Sequence, residues 1–233
     1  MIAPYLRRGM AAGLLAGLLA GLFAFLVGEP FVDQAIRLEE ASAGGHGEEV
    51  FSRTTQKVGL FFATGLFGVT AGGIFGIAYA CFRGRLASAS EWNRSLSLAG
   101  AVFAGAFLIP YVKYPANPPT VGDPATIGAR TAAYFTMVAL SLLVILAAWH
   151  AARRLRERLI SAPVRQVSVG LGVVVAVGAL FLALPAAPDP GEFPSGLLWN
   201  FRLSSLGTHL VFWTGLGVVF GLLGERASRR RPL

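Results

Sequence analysis

The chain has 233 residues, 55% of them hydrophobic and only 14% charged, with a formal net charge of +8. Those values point to an integral membrane protein and suit one membrane domain without a sizeable soluble appendage. The single cysteine, Cys81, excludes an intramolecular disulfide and a thiolate metal cluster.

Six charge-poor apolar stretches follow one another along the chain. Each is close to or beyond the roughly 20 residues that a helix needs to cross a hydrocarbon core of ~30 Å. The first, Gly9 to Gly28, follows Arg7 and Arg8 in the manner of a signal peptide. It is longer than a typical h-region, and no small-x-small site closes it, so a retained helix is expected. Gly13, Gly17 and Gly21 repeat every four residues in it, and Gly65, Gly68, Gly72 and Gly76 line the second stretch, Val58 to Phe82. Such spacing lets helix backbones approach closely in lipid, inside the bundle or at a subunit interface. Cys81 is expected to pack at the end of this second helix.

The third stretch runs from Ser95 to Val112. Pro115, Pro118 and Pro119 then prevent helix, and Asp123 before Pro124 is a favoured N-cap and first-turn pair. The fourth helix is therefore placed at 124–152 and the fifth at 166–188. Pro194 precedes a sixth at 195–224, with Trp199 at the aromatic belt. The predicted fold class is all-α, a polytopic bundle of six transmembrane helices in the lipid bilayer. No internal repeat suggests an inverted-repeat transporter.

The loops alternate in charge. Arg7, Arg8, the 83–94 connection, the 153–165 connection and the C-terminal tail together hold fourteen basic residues against Glu91, Glu157 and Glu225. The other connections hold six basic residues and nine acids. Cytoplasmic loops of membrane proteins are rich in Lys and Arg, so both termini are predicted to be cytoplasmic. The high pI then reflects topology, and a nucleic-acid partner is not expected.

Three segments at the outer helix ends carry the candidate chemistry. In HGEEVFSRTTQK, His46, Glu48 and Glu49 are close enough for one loop to wrap a divalent transition ion, although a solvated acidic loop explains them equally well. Glu49 and Arg53 are also an i,i+4 pair that supports a helix start. In the second segment Asp123 precedes Thr126, Arg130 and Tyr134, which form a polar stripe at i, i+4 and i+8; the alternative is that Arg130 only snorkels to the interface. In the third, Arg202, Ser205 and His209 share one helix face, with His209 about 10 Å deeper than Arg202 from the ~1.5 Å rise. His209 is the imidazole inside a span, a ligand candidate or a hydrogen-bonded structural histidine. Arg130, Tyr134, Arg202 and His209 are expected to face the bundle interior.

Taken together, HGEEVFSRTTQK, YPANPPTVGDPATIGARTAAY and FPSGLLWNFRLSSLGTHLVFW resemble the CbtA family of predicted cobalt-transporter subunits, over nearly the whole chain. The resemblance implies a bacterial inner-membrane protein associated with cobalt uptake, working with a small histidine-bearing membrane partner, CbtB. Co²⁺ is then the expected transported ion, and the preference of such ions for imidazole and carboxylate makes His46, Glu48, Glu49 and His209 its candidate ligands, with no tightly bound cofactor expected. A non-transporting accessory or structural subunit of a larger membrane complex is the alternative. An enzyme is not expected, since no nucleophile and base occur at a recognisable spacing. The GxxxxGK[ST] pattern of ATP-hydrolysing proteins is also missing.

Overall fold

A computed structural model describes residues 2–42, 51–86, 88, 90–119 and 121–229. Among them the chain is all-α, with six helices long and apolar enough to cross a membrane. In chain order the elements are α1 (Ala3–Phe23), α2 (Glu29–Ser42), α3 (Arg53–Phe82), α4 (Glu91–Phe103), α5 (Ile109–Lys113), α6 (Ile127–Glu157), α7 (Ala162–Ala183) and α8 (Ser195–Arg229). Two five-residue π-helical turns, Ala24–Gly28 and Ala104–Leu108, join α1 to α2 and α4 to α5.

Several helices outrun the apolar stretches that announce them. The continuous helix Ala3–Ala41 has 39 residues, about 58 Å at ~1.5 Å per residue, against a hydrocarbon core of ~30 Å. Its surplus is α2, which holds Glu29, Asp33, Arg37, Glu39 and Glu40. The fifth span is shorter at its far end than the expected 166–188. It stops at Ala183 because Leu184, immediately before Pro185, is extended, as a residue preceding proline prefers.

Both π turns have one cause. Pro30 and Pro110 lack an N–H, and their rings crowd the carbonyl four residues back, so the helix widens just before each proline. At the second turn the amide of Ile109 bonds the Ala104 carbonyl. The Gly105 carbonyl is then left to face the proline nitrogen, which has nothing to donate. Ser141 of α6 supplies the missing donor, with its hydroxyl 2.5 Å from that carbonyl and 2.7 Å from its own Met137 carbonyl.

The contacts divide the chain into two compact units. The first comprises Met1–Gly100, Asn117–Thr120 and Phe193–Leu233. In it α1 lies antiparallel to α3 along a glycine seam. A Cβ on Gly9, Gly13 or Gly17 would collide with the carbonyl oxygens of Gly72, Gly68 and Thr64 in turn. The glycine rows thus face each other within one chain, and the helix backbones meet at van der Waals distance, where packing replaces the hydrophobic drive. Helix α8 lies antiparallel to α1 on another face and takes α4 on its own row of small residues. Ser95 donates to the Gly217 carbonyl at 2.7 Å, and Trp92 packs on Gly221. The core fills with Ala12, Ala16, Phe75, Tyr79, Phe212, Leu216 and Phe220. Cys81 is exposed rather than packed.

The second unit comprises Ala101–Ala116 and Val121–Glu192. Helix α6 packs on the π turn around Gly105 and pairs with α7 as an antiparallel hairpin. Its tight turn is a Schellman cap: Ile160 N–H bonds the Leu155 carbonyl, Leu159 N–H bonds Arg156, and Leu159 takes a left-handed φ of 59°. At the other end of α7, Lys113 donates to the Phe181 carbonyl at 2.8 Å and satisfies part of the helix C-terminus. Tyr114 donates to the Pro185 carbonyl at 2.7 Å, and burial pushes its phenol pKa up, which keeps that donor protonated.

Candidate functional site

The end of the first unit that carries α2 and the start of α3 is built on charge. Glu29 and Asp33 are i and i+4 on α2 and present both carboxylates on one face. The guanidinium of Arg53, in the first turn of α3, donates to Glu29 Oε2 at 2.6 Å and to Asp33 Oδ1 at 2.7 and 3.0 Å. Lys57, one turn on, reaches Asp33 Oδ2 at 2.9 Å, and Gln56 accepts from Arg53. Ser52 caps α3 by accepting from the Thr55 amide. Two cations and two carboxylates cancel here, so Glu29 and Asp33 are committed to holding α3 against α2 and leave no free carboxylate for a metal. The chain between the two helices carries His46, Glu48 and Glu49, which lie outside the described residues. The i,i+4 partner suggested for Arg53, Glu49, lies there too.

Below this clamp, α8 meets the π turn of the first span. Phe23 covers Gly207, where a Cβ would sit 2.7 Å from the ring, and Ser204 comes close to Gly28. Arg202 donates to Asn117 Oδ1 at 2.9 Å, so its guanidinium is engaged by protein. Ser205 and His209 follow on α8, both half-buried. One turn beyond His209, the Trp213 indole N–H is buried with no acceptor among the described residues. No group of three or more His, Cys, Asp or Glu side chains is placed to hold a metal among the described residues.

In the second unit, the residues of the other expected stripe build their own loop. Asp123 Oδ1 caps the turn by accepting from the Ala125 amide at 2.9 Å, and Thr126 donates to the Asp123 carbonyl at 2.7 Å. Arg130 folds back on the same loop and donates to the carbonyls of Val121 and Asp123 at 3.4 and 3.2 Å. Its guanidinium lies against Gly122, whose φ of 95° is one that a residue with a side chain rarely adopts. Tyr134, one turn on, is half-buried and packs edge-on against Phe135 at 5.6 Å.

A second charged cluster lies at the opposite end of the first unit. Glu91, at the start of α4, receives Arg8 and Arg83 at 3.2 Å and Arg94 at 3.6 Å. Arg8 also lies 4.0 Å above the ring of Phe220, with Tyr5 and Tyr79 completing an aromatic box. Glu225 of α8 accepts from Ser90 and from the Trp92 amide, which caps α4. Sequence reading counts these arginines as topology charges only. The signal for more is Glu91 itself, one of three acids among fourteen bases.

Six helices long and apolar enough to cross a membrane, with ion pairs at both ends of the first unit, define a polytopic α-helical membrane protein. The family model of CbtA, described as a probable cobalt transporter subunit, matches residues 2–225, and the chain belongs to that family. No curated protein and no solved structure matches it.

Proposed function

We propose that this chain is the membrane subunit of a cobalt uptake system in a bacterial inner membrane, with both termini in the cytoplasm. The family match over residues 2–225 carries the reading. The ligand types in the chain support it. Imidazole and carboxylates are suited to borderline divalent ions, and His46, Glu48 and Glu49 occupy the segment that joins α2 to α3. They capture the ion, and His209, inside the sixth span, receives it. Glu29 and Asp33 are paired with Arg53 and Lys57 and are not part of the proposed capture set. A small histidine-bearing CbtB-like membrane partner completes the transporter. The membrane potential draws a divalent cation inward at ~2.3 kcal/mol per charge per 100 mV.

Replacing His46 and His209 together by Ala is expected to depress cobalt uptake in cells while membrane insertion stays intact. Wild-type uptake in that variant would contradict the ligand roles. Neutral imidazole is the binding form, so ion capture should weaken as acidification protonates His46. The orientation is tested with Ala41→Cys in a Cys81→Ser background. An impermeant thiol reagent should label it from outside, and labelling from the cytoplasm alone would reverse the topology.

A further inference from the structure

Helix α7 has no buried residue and pairs with α6. Between α6 and α7 runs an apolar groove of ≈ 270 Å³, lined by Val144, Ala148, Ala151 and Leu155 on one wall and Gly172 and Ala176 on the other. Small side chains line much of it, and at Gly172 there is space: an added Cβ would meet nothing within 4 Å. The groove ends at the Schellman turn, where Arg153, Arg154, Arg156, Arg158 and Arg165 stand against one acid, Glu157. Arg154 and Arg158 lie one turn beyond Ala151 and Leu155, and Arg165 one turn before the groove-lining Ser168, so all three fall in line with the walls. Between the arginines, Leu159 is 92% exposed, an apolar side chain in a left-handed conformation that favours glycine.

An apolar slot that opens onto a basic cluster at a helix end matches one amphiphile, with a hydrocarbon chain in the slot and a negative headgroup on the guanidinium groups. We propose that the α6–α7 hairpin binds an anionic diacyl phospholipid, with an acyl chain lying along Gly172 and the phosphate held by Arg154, Arg158 and Arg165. Charge complementarity selects the headgroup. The small side chains admit the chain. Leu159 seats the turn in the acyl region.

The test is native mass spectrometry of the full chain released from bilayer discs containing equal phosphatidylglycerol and phosphatidylcholine. Retained phosphatidylglycerol should exceed phosphatidylcholine, and each Arg→Gln change at 154, 158 or 165 should lower that preference roughly five-fold. Gly172→Leu fills the slot without a backbone clash, so it should abolish retention while the thermal midpoint stays at the wild-type value. Equal retention of the two lipids would overturn the proposal. So would retention that survives Gly172→Leu, which marks headgroup attraction without the groove. Disulfide formation between two copies of Gly172→Cys in a Cys81→Ser background would assign the groove to a second chain instead.

Discussion

Ser141 shows how one hydroxyl decides whether a span can carry a proline. Pro110 deprives the Gly105 carbonyl of its backbone donor, and in a bilayer core there is no water to replace it. Ser141 bonds that carbonyl from the neighbouring helix and is itself fully buried. Ser141→Ala should therefore cost about 1–3 kcal/mol, the penalty of a buried acceptor left unpaired. A lowered thermal midpoint in detergent is the expected readout, and Pro110→Ala in the same chain should recover part of it. An unchanged midpoint in Ser141→Ala would show that the carbonyl finds another donor. Little of this was legible in advance. Pro110 lies inside an apolar stretch that reads as one uninterrupted span, and the serine that bonds the Gly105 carbonyl lies 36 residues further along the chain. The same holds for Glu91 and Arg8, 83 residues apart. Arg130 was readable as a polar residue at a helix entrance; that it would serve its own loop depended on the positive φ of Gly122.

At the scale of elements, the glycine rows of α1 and α3 were readable as close-packing faces, and the structure settles which face meets which. The rows are not equivalent. Gly13 lies against the Gly68 carbonyl, where a methyl group cannot be accommodated without moving a backbone, whereas a Cβ on Gly65 would rest 3.6 Å from the tips of Leu14 and Leu18. Gly13→Ala should push the helices apart and destabilise the bundle by about 2 kcal/mol or more, as overpacking does. Gly65→Ala should fall within about 0.5 kcal/mol of wild type. Chemical or thermal unfolding in micelles compares the pair, and equal losses would contradict the seam. Helix ends were the less legible part. Apolar run length reports the hydrocarbon core only, so α2 and the polar first turn of α3 extend beyond what hydropathy marks. Their polar residues are what the clamp is made of.

For the whole molecule, six spans and all-α architecture follow from hydropathy alone, because a bilayer admits few ways to satisfy a spanning backbone. Membership of a family described as a probable cobalt transporter subunit suggests the cargo, and ion pairs brace both ends of the first unit. The central claim is the proposed one, that this chain is the membrane subunit of a system that takes cobalt inward. It is tested most directly by reconstituting the full chain with the proposed CbtB-like partner in vesicles holding an interior-negative potential and following cobalt influx. The account predicts influx above empty vesicles that grows with the potential and is lost in the His46→Ala, His209→Ala variant. Influx no faster than in empty vesicles, with both proteins present and folded, would contradict it and leave a non-transporting accessory subunit as the reading.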